Sequence, residues 1–297
     1  MELKNINIII ERTYFRIDIV YGGIDINTSF KINRDKDLVY LTIPAFEETG
    51  LVKHCFTTRQ GGVSQGIYNN LNTSLIKEDL RENVLENLKR VCSAVGIDFQ
   101  KLVFSDQVHG DEIRIVTEKD LGKGITQDSD IKMVDALITN VPGVPMITFY
   151  ADCVPVFILD PVNKAIGLAH SGWKGTTLKI AVRTIEKMQQ AYGTKPQDCL
   201  VGIGPSIEMK CFEIKEDAAV LFQQGFDYWE KFLIKKDEEH YTADLWLAVK
   251  LMLMEAGVQE QNITTSGLCT YCNEELFFSH RRDKGRTGSL SAIMELK

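Results

Sequence analysis

The stretch that decides the fold is 146–176, MITFYADCVPVFILDPVNKAIGLAHSGWKGT. Three short apolar runs within it, 146–150, 154–159 and 165–169, have strand length and are rich in β-branched and aromatic residues. The links between them, three residues at 151–153 and five at 160–164, are too short for a crossover helix, so these neighbours cannot pair as a purely parallel sheet. The run is followed by Gly and small residues and then by helical periodicity, so strands and helices alternate without a strict βαβ rhythm.

Working outward, strand-like runs recur at 101–104, 112–116 and 199–203. A helix is expected over 81–95, where Val84, Leu85, Leu88, Val91, Cys92 and Val95 share a face and Gly96 stops the run. Further helices are expected over 176–192, with Leu178, Ala181, Ile185 and Met188 on one face, and over 216–224 and 244–256. From Asn5 to Ile32 apolar and polar residues alternate with period two (Ile6, Ile8 and Ile10, then Tyr14, Arg16, Asp18 and Val20), which predicts strands joined through Gly22-Gly23. The expected class is α/β (α+β), a single layered domain of mixed sheets flanked by helices. Residues 1–45 are expected as amino-terminal strands packed on a catalytic domain spanning 46–297.

Composition removes whole classes of function. The chain has 297 residues, 44% hydrophobic and 25% charged, with 22 Gly and 7 Pro, which excludes collagen-like and wholly disordered proteins. A formal charge of −7, from 34 basic and 41 acidic residues, gives no global reason to bind nucleic acid or anionic lipid. No apolar run approaches the ~20 residues of a membrane span. The amino terminus has no signal-peptide pattern, and seven cysteines are sparse and odd in number, so a cytoplasmic protein with reduced thiols is expected.

Chemistry-bearing residues gather at strand ends. Asp106-Gln107-Val108-His109-Gly110, Ala151-Asp152-Cys153 and Ala169-His170-Ser171-Gly172-Trp173-Lys174-Gly175 each place a His or Cys where a loop projects it into a cleft. His109, Cys153 and His170 offer two imidazoles and a thiolate, suited to Zn²⁺ or copper with a fourth position open for water or substrate. The same residues would equally serve as a metal-free Cys–His nucleophile, and their spacings leave both readings open. Cys269-Thr270-Tyr271-Cys272 is a CxxC with no second CxxC, read as structural, while Cys55, Cys92, Cys199 and Cys211 read as buried. Two Gly-rich segments, one carrying Arg59 before Gly61-Gly62 and one carrying Lys174, suggest an anion subsite. The basic run 280–286 adds Arg281 as a candidate donor to a polar substrate, and Asp152 is a candidate base from its place beside Cys153.

Six blocks in order, CFTTRQGGVSQGIYNNLN (55–72), DQVHG (106–110), DALIT with YADCVPVFILDP (135–161), GLAHSGWKGT (167–176), GIGPSIEMKCFEI (202–214) and LCTYC with FFSHRRDKGRTG (268–288), resemble the laccase-domain family, also called YfiH-like, polyphenol-oxidase-type or peptidoglycan-editing-factor. The resemblance runs from about residue 50 to the carboxy terminus. It implies a layered α/β fold with two sheets between helices and a zinc held by His109, Cys153 and His170, which selects the metal reading. It also implies purine nucleoside chemistry: phosphorolysis of adenosine, inosine, guanosine and methylthioadenosine, and adenosine deamination, with purine nucleosides and phosphate as partners. Arg59, Trp173, Lys174 and Arg281 are the residues expected on the substrate side of such a site. Alternatives described for the family are a hydrolase editing cell-wall precursors and a copper-dependent phenol oxidase. The five histidines of the chain are too few for a multicopper oxidase. His280 stands where the family commonly shows Tyr, and no H-x-E triplet of the cytidine-type deaminases accompanies any histidine.

Overall fold

The computed structural model describes residues 17–21 and 24–297. In chain order its strands and helices are β1 (Ile17–Tyr21), β2 (Ile24–Thr28), β3 (Lys31–Asp35), β4 (Leu38–Thr42), α1 (Pro44–Thr49), β5 (Val52–Thr57), α2 (Arg81–Val95), β6 (Val103–Phe104), β7 (Ile113–Ile115), β8 (Ala136–Thr139), β9 (Met146–Tyr150) and β10 (Val154–Asp160). They continue with β11 (Ala165–Ser171), α3 (Trp173–Thr177), α4 (Ile180–Tyr192), β12 (Leu200–Ile203), β13 (Glu213–Lys215), α5 (Glu216–Gly225), β14 (Leu233–Lys235), β15 (His240–Ala243), α6 (Leu245–Glu255), β16 (Ile263–Thr265) and β17 (Leu290–Leu296).

Two six-stranded mixed sheets carry the fold. One has the order β3-β4-β5-β17-β9-β6 and the other β16-β12-β10-β11-β8-β7; β13, β15 and β14 form a small third sheet, and β1 pairs with β2. Most ladders are antiparallel, with parallel pairs at β6/β9, β7/β8 and β12/β16. This is the mixed α/β class expected from the short links around β9, β10 and β11.

Period-two alternation on fully buried strands sorts side chains into separate cores. On β10, Val154, Val156 and Ile158 pack with helices α4, α5 and α6, whereas Phe157 and Leu159 face Leu41, Phe56, Met146 and Met294 of the other sheet. On that other sheet, Cys55, Ile147 and Ile293 turn outward onto Val84, Leu88 and Val91 of α2. The layers therefore run helix, sheet, sheet, helices. The three residues 151–153 between β9 and β10 carry the chain from one sheet to the other.

Helix α2 spans 81–95 as its periodicity predicts and ends on Gly96 in the left-handed conformation. The helix expected over 176–192 is instead two, because Lys179 adopts φ 58° between α3 and α4; Leu178 is thereby turned outward and Ile180 enters the core. Strand β4 hydrogen-bonds to β5, so residues 31–42 and 52–57 share one sheet. The expected strand carrying Ile6, Ile8 and Ile10, and the Gly22-Gly23 turn, lie outside the described residues.

Candidate metal and substrate site

The sheet-to-sheet crossing places Cys153 beside two histidines, one from the loop after β6 and one from β11. His109 follows β6, and its loop is pinned to β9 by Gln107, whose amide donates to Phe149 O at 2.9 Å and accepts from Phe149 N at 2.7 Å. His170 sits near the end of β11 and is buried, Cys153 is half-buried and His109 is exposed. The ligand atoms of all three lie within 4.8 Å of one another. His109 Nε2 is 3.7 Å from Cys153 Sγ, close to the ~3.5 Å edge that a tetrahedral zinc with its usual Zn–S and Zn–N lengths requires.

Asp135, just before β8, organises the cluster although no motif singled it out. Its buried carboxylate accepts the N–H groups of Val108, His109 and Gly110 at 2.8–3.0 Å, and Oδ1 also accepts from His170 Nδ1 at 2.8 Å. With Nδ1 so engaged, Nε2 of His170 is the nitrogen left to face Cys153. A carboxylate behind an imidazole is the usual second partner of a metal-ligating histidine. In the sequence, Asp135 is marked only by its place at the head of the DALIT block.

Local backbone and electrostatics support the same reading. His109 and Asp152 hold positive φ, 62° and 87°, uncommon for residues with a Cβ and concentrated at functional sites. Gly172 leaves the space the cluster needs, since a Cβ there would lie 2.9 Å from His109 Cδ2 and 3.0 Å from Cys153 Sγ. Burial alone would push the Cys153 thiol up, yet the neighbouring His170 charge and the hydrogen bond to His109 draw it down to about 6. Burial opposes charge on His170 as well, but Cys153 and Asp135 carry it up to about 9. Burial likewise opposes the Asp135 charge, and the bonds from His170 and the loop amides hold its carboxyl below the ordinary value. Two imidazoles and a thiol drawn toward its thiolate form are donors suited to a thiolate-binding metal, and the three residues fit such an ion.

The cluster lines a cavity of about 440 Å³, the size of a small-molecule site. Apolar walls come from Phe104, Phe149, Tyr150, Trp173, Ile207 and Phe212, and ionisable groups from Lys77, Asp106, His280 and Arg281. Of the expected site residues, His109, Asp152, Cys153, His170, Trp173 and Arg281 meet here. Arg59 and Lys174 do not line it. Arg59 donates to the carbonyls of Asn69 and Glu274, lies over the Phe278 ring and borders a different cavity with Arg90 and Asp283. Lys174 lies over the Trp173 ring, on a helix only five residues long.

Asp152, a candidate base by adjacency, has both oxygens engaged. Oδ1 accepts from Thr270 Oγ1 at 2.6 Å and Oδ2 from Arg281 N at 2.7 Å, so it ties the carboxy-terminal loop to the Cys153 crossing. Lys77 carries no signal in the sequence, because it stands in the unpatterned segment 73–80 and reaches the cavity only through tertiary packing. Cys211, expected as buried, is half-buried and 3.4 Å from Cys272.

Fold and site together define a layered α/β protein with a metal-capable His-Cys-His cluster beneath a ligand-sized cavity. A family model described as multi-copper polyphenol oxidoreductase laccase matches residues 53–297, and the chain belongs to this laccase-like, YfiH-type family. It is 36% identical over 246 residues to purine nucleoside phosphorylase YlmD of Bacillus subtilis, covering 82% of this chain and 87% of that one. It is 33% identical over 252 residues to the human purine nucleoside phosphorylase LACC1, covering 82% of this chain and 55% of that protein. The crystal structure of the Bacillus licheniformis hypothetical protein YfiH superposes with a TM-score of 0.85 at 34% identity, covering 90% of this chain and 99% of that one. Among the described residues, no helix is long and apolar enough to cross a membrane.

Proposed function

We propose that this protein is a zinc-dependent purine nucleoside phosphorylase acting on adenosine, inosine, guanosine and methylthioadenosine, with adenosine deamination at the same site. The observation that carries the reading is the Asp135-braced His109, Cys153 and His170 cluster opening into an aromatic-walled cavity of purine nucleoside size. The naming of relatives at 33–36% identity supports it. His109, Cys153 and His170 would hold the zinc, which when bound supplies a Lewis acid and a position able to activate water.

The chain's own residues account for the rest. In phosphorolysis a phosphate oxygen bonds to ribose C1′ as the C1′–N9 bond breaks, and the purine leaves with the electron pair and takes up a proton. Arg281 and Lys77 bind and orient the phosphate anion, since both line the cavity and Arg281 spends one guanidinium contact on Glu213 O, leaving other N–H groups to donate. Trp173, Phe149 and Phe212 enclose the base and exclude water. Zinc is favoured over copper because the histidine count is low and His54 is spent accepting the Ile43 N–H inside the core. A cytoplasmic location belongs to the same reading and accords with free thiols at all seven cysteines.

Chromatography of adenosine incubated with zinc-loaded protein tests this. Adenine and ribose-1-phosphate are expected only when phosphate is added, and inosine with or without it. Folded, zinc-loaded protein that gives neither product would overturn the purine reading in favour of cell-wall-precursor hydrolysis.

A further inference from the structure

We propose a second metal site, distinct from the first, in which Glu208, Cys211, Cys269 and Cys272 bind one zinc ion. The four ligand atoms lie within 4.8 Å of one another. Cys211 Sγ is 3.4 Å from Cys272 Sγ, and Glu208 Oε1 is 3.1 Å from Cys272 Sγ and 3.9 Å from Cys211 Sγ. A tetrahedral zinc with Zn–S of ~2.3 Å and Zn–O of ~2.1 Å needs ligand edges of ~3.5–3.8 Å. The observed distances bracket that range, so small side-chain rotations suffice to seat the ion.

The segments are built for this convergence. Glu208 and Cys211 are three apart on one tight turn, where Cys211 N donates to Glu208 O at 3.0 Å. Cys269 and Cys272 are three apart on another, so an ExxC pair faces the CxxC pair that lacked a partner in the sequence. Backbone bonds lock the two together: Ser206 N donates to Leu268 O at 3.2 Å and Thr270 N to Ser206 O at 3.1 Å. The Glu208 N–H points at Cys269 Sγ at 3.5 Å, a bond that stabilises a ligating thiolate.

A Cys211–Cys272 disulfide is the competing use of this geometry. It would use two of the four donors and leave the Cys269 thiol and the Glu208 carboxylate, which converge on the same point, outside the bond. Four convergent donors, three of them soft sulfurs, match a thiolate-seeking divalent ion. Cys272 is exposed, which gives the ion a path in. Lys210, whose ammonium lies 2.9 Å from Glu208 Oε1, has a side chain 73% exposed and is free to swing away when a cation enters.

The site would staple two walls of the nucleoside cavity. The turn bearing Glu208 and Cys211 lies between Ile207 and Phe212, and the loop bearing Cys269 and Cys272 leads through Thr270 and its bond to Asp152 toward His280 and Arg281. The clusters share no residue.

Cobalt(II) is the probe, in the full-length Cys153→Ser protein under reducing conditions, where the first cluster has no thiolate to contribute. A near-ultraviolet thiolate-to-cobalt band saturating at one ion per chain, abolished by zinc and reduced to a third or less when Cys211→Ser and Cys272→Ser are added, is the expected result. Folded Cys153→Ser protein without such a band would overturn the site. In the wild-type chain, zinc should protect Cys211 and Cys272 from iodoacetamide, mapped by peptide mass. Equal labelling with and without zinc, or a Cys211–Cys272 disulfide that persists under reductant, would overturn it as well. Neither readout involves nucleoside turnover, so the result bears on this cluster whatever the first site does.

Discussion

Asp135 Oδ1 accepts the Nδ1 hydrogen of His170 at 2.8 Å while the same carboxylate gathers the amides of Val108, His109 and Gly110. One side chain thus sets the tautomer of one imidazole and the backbone that presents the other. Asp135→Asn is expected to weaken metal retention by roughly 10–100-fold, the usual effect of removing an outer carboxylate partner. Chelator competition measures this, with Asp106→Asn as the comparison because Asp106 lines the cavity without those bonds. Equal affinities in the two variants would show that Asp135 does not orient the ligands.

Gly172 has φ −65° and ψ 173°, which alanine adopts without strain, so Gly172→Ala probes space alone. Its Cβ would press on His109 Cδ2 and Cys153 Sγ. A stability cost of about 1–3 kcal/mol from overpacking, with loss of bound metal at the first cluster, is expected in thermal melts and elemental analysis. Full metal content in this variant would mean the cluster tolerates a wider geometry.

His54 is buried on β5, with Nε2 accepting the Ile43 N–H at 2.7 Å. Burial, helped by Lys297 and opposed by Glu47, lowers its pKa to about 4. Because the folded value lies below the unfolded ~6.5, the unfolded chain binds more protons between these values. The contribution of neutral His54 is therefore full above pH ~6.5, is lost as pH falls toward 4 and levels off below, about 3 kcal/mol in all. His54→Gln should flatten the melting temperature in that window. An unchanged slope would assign the acid sensitivity to other groups.

Arg281 lines the cavity and Arg59 does not, so their alanine variants should separate. Arg281→Ala is expected to raise the phosphate KM by roughly 10–150-fold, the equivalent of a charge-assisted bond of ~1.5–3 kcal/mol. Arg59→Ala should leave the phosphate KM unchanged and cost about 1–3 kcal/mol of stability, because it loses its bonds to Asn69 O and Glu274 O and its seat over Phe278. Initial rates against phosphate and denaturant melts distinguish the two, and the reverse pattern would restore Arg59 as the anion donor.

Helix α2 and strands β9, β10 and β11 were legible from residues 81–95 and 146–176 because hydrophobic periodicity and glycine stops act over a few neighbours. The mixed sheet class followed from link lengths alone. The strand-end motifs brought His109, Cys153 and His170 forward, and the resemblance in turn selected the metal reading for them. Tertiary structure decided that residues 151–153 cross between sheets, that Asp135 joins the two histidines, that Lys77 rather than Arg59 borders the cavity, and that Glu208 and Cys211 meet a CxxC about 60 residues later. Each of these depends on which strands pair and how the two sheets stack. That choice is made by burying apolar faces across long loop closures, and no local spacing in the chain encodes it.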